Sequence, residues 1–241
     1  MGDKDSGLID YNNITIQQAT QLQRQMSGKI SLQYTGGGIA TIAGADISLN
    51  MFSSIIYAGI VVLDYSSLQP LAYSLIKSGT SFPYVPGYLA FREVPALMQA
   101  LEQMPLHPDV IMADGQGIAH PRRVGIATHL GLLSGIPTLG CAKKILFGKW
   151  QEPDQLKGSY TPITDKEEVI GYALRTKNKV KPVFISPGNN MSLEKSLEIA
   201  LHCTGTYRIP EPTRRAHDFV NLFRTGQLQE GYHTVDGNTL F

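Results

Sequence analysis

Residues 108–144, PDVIMADGQGIAHPRRVGIATHLGLLSGIPTLGCAKK, constrain the fold of this chain more than any other stretch. Val110, Ile111 and Met112 form a short apolar run of the kind that makes a buried strand. Asp114 stands where that run ends, and Gly115 and Gly117 follow, letting the backbone turn tightly and approach a ligand. Pro121 is placed to open a helix and Gly135 to end it. A second apolar run, 136–141, stops at Lys143 and Lys144. The pattern is strand, helix, strand, with a carboxylate at one tip and an amine at the next. In open α/β sheets, ligands bind beyond the carboxyl ends of parallel strands. A carboxylate for a metal beside a lysine for an anion suggests phosphate chemistry.

Upstream, Ile16, Ala19, Leu22 and Met26 recur at helical spacing within 14–27, and Gly36, Gly37 and Gly38 make a joint before the core. Strands are expected over 39–49, 55–64 and 71–76, with links short enough for antiparallel hairpins. Asp46 interrupts an otherwise apolar strand. Such a charge is costly unless it is paired, on a metal or facing water at a strand end. Gly44 and Ser48 share its face, and their small size leaves room for a ligand. Residues 83–87, PYVPG, cannot be regular structure, and two prolines hold Tyr84 on a stiff turn. That ring either stacks on bases or packs back on the body. A helix follows, with Leu97, Ala100, Leu101 and Met104 inward and Pro95 in its first turn. Glu93 lies on the same stripe at the helix start, where the dipole, Arg92 or a metal would be its partner.

Downstream, 145–163 is irregular, and 169–176 and 182–186 read as strands. A helix over 190–203 turns Leu193, Leu197 and Leu201 inward and closes by Gly205. Pro212 opens a last helix with Ala216, Phe219, Val220 and Phe223 inward. His217 adjoins that stripe, and a lone histidine there is more often structural than catalytic. The whole of 1–241 reads as one domain, with loose termini at 1–13 and 226–241. Cys141 and Cys203 offer neither a disulfide framework nor zinc spacing, which fits a reducing cytoplasm. The longest apolar run, 55–63, is too short to span a bilayer, so no membrane association is expected. Net charge is only +1, yet Arg122, Arg123, Lys143, Lys144 and Lys149 face Asp114 alone between 114 and 150. A local basic face suits a polyanion, or is simply solvated.

Three strands, a helix, a strand, a helix and a strand is the order of the ribonuclease H-like fold. The expected class is therefore α/β, a mixed central sheet of three antiparallel strands then parallel strands, flanked by helices. Asp46, Glu93 and Asp114 fall where that fold carries its acidic residues. The strings IAGADISL, FPYVPGYLAFREVPAL, VIMADGQGIAHPRRVGIATHLGLL, GIPTLGCAKK and RIPEPTRRAH together resemble the endonuclease V (deoxyinosine 3′ endonuclease) family over about 14–224.

The resemblance implies a Mg²⁺-dependent endonuclease, with Mn²⁺ able to substitute. It implies cutting at the second phosphodiester bond 3′ to a deaminated base, typically hypoxanthine, leaving a 3′-hydroxyl and a 5′-phosphate. It gives Asp46, Asp114 and Glu93 as metal ligands, and adds Lys143 and His217 to the catalytic set. The strand-separating wedge would be Pro83, Tyr84, Val85 and Pro86. Gly87, Leu89, Gly115 and Gly117 would surround the flipped base, with His120 and Arg122 of HPRR among the nucleic-acid contacts. Gln116 departs from the D-G-H-G of many bacterial members. The expected partner is inosine-containing DNA or RNA, and the chain is expected to be a monomer. Two other classes compete. A junction nuclease has no evident need for a stiff tip beside a base pocket, and a non-catalytic binder would gain only repulsion from these acids.

Overall fold

The computed structural model describes residues 10–50 and 53–235. Helix α1 (Ile16–Ser27) precedes three consecutive strands, β1 (Thr41–Leu49), β2 (Ile55–Asp64) and β3 (Pro70–Gly79). Then come α2 (Leu89–Glu102), β4 (Val110–Ala113), α3 (Ile126–Ser134) and β5 (Thr138–Ala142). Strands β6 (Tyr160–Asp165), β7 (Glu168–Leu174) and β8 (Val183–Pro187) follow, then α4 (Leu193–His202), α5 (Glu211–Arg224) and β9 (Gly231–Thr234). Among the described residues the strands form one sheet, ordered β6-β7-β8-β5-β4-β1-β2-β3-β9. Strands β1, β2 and β3 pair antiparallel, while β4 joins β1 and β5 joins β4 in parallel. The α/β class and the mixed sheet expected from the sequence are the ones observed.

Alternation along β1 assigns its faces. Ala43 and Ala45 point to a core shared with Val94, Leu97 and Leu101 of α2 and Leu130 of α3. Ile42 points to the opposite core, with Met112 of β4, Leu139 of β5 and Ile199 of α4. Each fully buried Leu or Ile contributes about 2 kcal/mol by leaving water. Thr15 and Gln18 form a capping box at the start of α1. Gly135, at φ 73°, ends α3 in the left-handed region that favours glycine. No helix among the described residues is long and apolar enough to cross a membrane.

Several local expectations are corrected. Pro121 does not open α3, which begins at Ile126. The preceding loop is held across the strand ends by Gly117 N–H to Ser186 Oγ, Ile118 N–H to the Pro187 carbonyl and Ala127 N–H to the Gln116 carbonyl. Pro95 lies inside α2 rather than in its first turn, because the helix starts at Leu89. Glu93 is consequently in the second turn, past the reach of the terminal dipole. Helix α4 starts at Leu193 and ends at His202, with Cys203 as its cap. The irregular span 145–163 contains the start of β6, and the tail past 226 contains β9, which pairs with Ser74 and its neighbours on β3. Residues 10–13 are not loose either: Asp10 accepts from Asn12 and Asn13, and Tyr11 packs beside Phe91. Residues 1–9 and 236–241 lie outside the described part.

Candidate active site

The site begins where β1 and β4 stop pairing. Ala45 is the last residue of β1 in register with β4, opposite Ala113. The Asp114 amide still donates to the Ala45 carbonyl at 2.9 Å. Asp46 and Asp114 therefore stand side by side at one sheet end. Gly44 lets α5 press onto the same face: a Cβ there would lie 1.8 Å from the Pro212 carbonyl oxygen. The room left by the small residues around Asp46 thus takes a helix rather than a ligand. That helix brings His217 to Asp46, Nδ1 to Oδ2, at 2.9 Å. From β5, Lys143 reaches across and its Nζ donates to Asp114 Oδ2 at 2.5 Å. One ligand atom each from Asp46, Asp114 and His217 lie within 4.8 Å of one another, so these three could hold a metal ion. Glu93 is not one of that trio, although it feels both aspartates.

The electrostatics show the strain of gathering acids in a poorly solvated place. Burial, then Asp46 and Asp114, push the Glu93 carboxyl up to about 8, with Arg92 opposing. Burial and the Asp46 charge also raise Asp114, against the pull of Lys143. Burial alone would lower the Lys143 amine, but the charge of Asp114 and its hydrogen bond raise it. His217 is raised by its bond to Asp46, with burial opposing. A divalent cation would relieve all of this repulsion at once. Groups with perturbed pKa values converging in a cleft are what a catalytic centre requires.

A cavity of about 450 Å³ adjoins the acids. Glu93, Asp114 and Lys143 line it together with Tyr84, Gly87 and Leu89. Tyr84 is 67% exposed at the tip of its turn, so the ring stands free rather than packing back. Pro83 is also exposed and Val85 half-buried, both outside the cavity, whereas Pro86 and Gly115 line it. Gly117 does not: its Cα abuts the Pro187 backbone, where a Cβ would meet the carbonyl oxygen at 2.0 Å. Gln116 lines the cavity and ties two walls together, Nε2 donating to the Lys144 carbonyl at 2.8 Å, while its buried Oε1 has no partner among the described residues. His120 and Arg122 both direct side-chain donors at the Gly87 carbonyl, at 2.9 Å each. They brace the cavity wall instead of presenting free charge. Arg123 pairs with Asp165 and Glu168 on the β6–β7 hairpin, so the basic face seen in the sequence is largely internally matched. Lys144 and Lys149 stay exposed.

Asn221 was not legible from composition or motif. One turn beyond His217, its Nδ2 donates to His217 Nε2 at 3.1 Å, while its Oδ1 accepts from Ser48 Oγ at 3.0 Å and from Arg224 at 3.3 Å. A neutral His217 therefore keeps its proton on Nδ1, facing Asp46. The i, i+4 spacing of His217 and Asn221 was the available signal, and it acquires meaning only once β1 supplies Ser48.

Comparison with known proteins agrees with this geometry. The family model for endonuclease V matches residues 20–218. An endonuclease V from Gloeobacter violaceus is 40% identical over 237 residues, covering 97% of this chain and 96% of that relative. The crystal structure of endonuclease V from Streptomyces avermitilis superposes with a TM-score of 0.84 at 38% identity, covering 89% of this chain and 95% of that one. The Ciona intestinalis endonuclease V, crystallised with a 24-mer DNA containing an inosine followed by a ribo-adenosine, gives a TM-score of 0.77 at 29% identity, covering 87% of this chain and 98% of that one. By its sequence over nearly its whole length, and by a fold that sets two aspartates and a histidine together at one sheet end, the chain belongs to the endonuclease V family of nucleases.

Proposed function

We propose that this chain is a Mg²⁺-dependent endonuclease that recognises hypoxanthine in DNA or RNA. It hydrolyses the second phosphodiester bond on the 3′ side, leaving a 3′-hydroxyl and a 5′-phosphate. The observation that carries the reading is the shared cavity: a space large enough for a purine base is lined both by Tyr84 and Pro86 of the wedge and by Glu93, Asp114 and Lys143. Family membership and the inosine-containing DNA held by the Ciona relative support it.

The donor set fits the metal. Carboxylate oxygens suit a hard cation, and Asp46 and Asp114 would hold it with His217 or Glu93 completing the protein's share. When bound, Mg²⁺ or Mn²⁺ supplies Lewis acidity and a more acidic water. Glu93, ionised once a bound cation offsets the charges of Asp46 and Asp114, would orient that water and take its proton. The water oxygen would bond to phosphorus as the bond to the 3′ oxygen breaks, and that oxygen would take a proton from solvent to leave as the hydroxyl. Lys143 offsets charge building on the phosphate oxygens. Tyr84 fills the gap in the strand, and Leu89, Val124 and Ile126 keep the cavity wall dry.

Matched DNA and RNA oligonucleotides, each with one inosine or none, test the reading in the presence of Mg²⁺. Cutting one nucleotide beyond the inosine, only in inosine strands, is the expected result, and Asp46→Ala abolishes it while leaving inosine-strand binding. Cutting without regard to inosine would make the chain a general nuclease. Binding without any cutting would make it a reader of the base.

A further inference from the structure

Helix α5 carries three arginines, and two of them are matched by acids on the same helix. Arg214 pairs with Glu211 and Asp218, and Arg215 lies 3.4 Å from Glu211. Arg224 differs. Among the described residues it has no carboxylate partner, and the groups it bonds are neutral. Its Nε donates to Ser48 Oγ at 2.9 Å, its Nη1 to Asn50 Oδ1 at 2.9 Å and its Nη2 to Asn221 Oδ1 at 3.3 Å. A guanidinium has five N–H groups, so these bonds leave one on each terminal nitrogen. A cation suits the last turn of a helix, but a lysine free in water would serve the dipole as well. Here the guanidinium is laid against the end of β1, with no acid to match its charge.

The fold fixes where Arg224 stands relative to the acids. Asp46 and Ser48 share one face of β1, the face that Gly44 presses against α5. His217, Asn221 and Arg224 follow at i, i+4 and i+7 and form one stripe of α5. The two rows meet rung by rung: Asp46 with His217, Ser48 with Asn221, and Asn50 with Arg224. Seven residues of helix put the last rung about 10 Å beyond the first. Across the sheet the order runs β5, β4, β1, and the cavity is lined from the ends of β5 and β4 but by no residue of β1 or α5. The aspartates therefore stand between the base cavity and this polar ladder.

A strand with its base in the cavity and its cut phosphate at the acids continues, on the 3′ side, toward β1 and α5. We propose that Arg224, with Ser48 and Asn50, forms a subsite for a backbone phosphate on the 3′ side of the cut. The fork of an arginine matches two phosphate oxygens, and the phosphate supplies the negative charge that no acid on α5 provides. Such a contact positions the strand without reading its bases, so it rewards strand length and not sequence. The inference rests on the cleavage reading proposed above.

The test compares two single-stranded inosine oligonucleotides as substrates with Mg²⁺. The short one ends a nucleotide past the cut, so it holds no phosphate beyond the scissile one, and the long one runs several nucleotides further. The readout is the ratio of kcat/KM for the long strand to that for the short one, from which any general loss of folded or active protein cancels. The unsubstituted protein is expected to favour the long strand roughly tenfold, the worth of a hydrogen bond to a charged group. Arg224→Gln should bring the ratio near one. Arg224→Lys, which keeps the charge but cannot span both Ser48 and Asn50, should retain a several-fold preference. A ratio near one in the unsubstituted protein overturns the subsite. So does a ratio that Arg224→Gln leaves unchanged, since Arg224 then only fastens α5 to β1. Cutting of neither strand, or cutting that ignores the inosine, overturns the cleavage reading itself, and this proposal with it.

Discussion

Glu93 illustrates how one residue couples the site to stability. Its carboxyl, raised to about 8, holds a proton in the folded chain over a range where the unfolded chain has lost it. Folding is then favoured at low pH and weakened as pH climbs through 8. Asp114 and His217, both raised, act in the same direction. His120 and His129 act in the opposite one. Burial lowers them to about 4 and about 3, so below pH 6.5 the unfolded chain takes up protons that the folded chain refuses. The two sets oppose one another between pH 4.5 and 6.5. Above 6.5 the acids dominate, and below 4.5 the histidines do. Thermal melts in EDTA should show the melting temperature falling from pH 6.5 to 8.5. Glu93→Gln should flatten that limb, and saturating Mg²⁺ should remove most of it. A metal-free profile that stays flat above pH 6.5 would contradict the raised carboxyl.

At the scale of elements, the site depends on how α5 sits on β1. Gly44→Ala would drive a methyl into the Pro212 backbone, which cannot rotate away as a side chain could. The helix must lift, taking His217 from Asp46. The expected loss is about 3 kcal/mol of stability, read by urea unfolding, together with at least tenfold in cleavage rate. The Pro83–Pro86 turn behaves differently. Tyr84 is exposed, so Tyr84→Ala should leave the melting temperature within a degree or two. It should slow cleavage of inosine in duplex DNA far more than in single strands, because only a duplex needs wedging apart. Equal slowing of both would remove the wedge role. The hairpins β1–β2–β3 were legible because turn residues and β-branched runs are local signals. Even the β2–β3 turn is self-contained, with Asp64 Oδ1 accepting from Ser66 Oγ, Ser67 N–H and Ser67 Oγ. Strand β9 was not legible, since its four residues are strand only because β3 offers a free edge. The start of α3 was misplaced at Pro121 for a related reason. Pro121 fits a first turn locally, but Gly117 and Ile118 are already bonded across β8, and the chain cannot coil until it has passed them.

Across the whole molecule, charge is nearly balanced at +1, so attraction to nucleic acid has to come from placement. Arg122 and Arg123 are tied internally, which leaves Lys144, at the cavity, and Lys149 as the exposed cations of the 114–150 segment. Lys144→Gln should weaken binding of inosine and ordinary strands alike and reduce the log–log salt slope by about 1, measured by anisotropy between low and moderate salt. A loss confined to inosine strands would place Lys144 in base reading instead. The fold class, the hairpins, the stiff Tyr84 turn and the acids at strand tips were determined by the sequence alone. Each rests on residues a few positions apart, where period and turn chemistry decide face and direction. The tertiary structure alone decided which groups meet. Asp46 finds His217 across 171 positions, Gln23 finds Arg122 across 99, and His217 joins the two aspartates while Glu93 stands beside them. A side chain's periodicity tells which way it points, but its partner is chosen by the packing of whole elements, and here a single glycine on β1 sets how closely the helix carrying His217 can come.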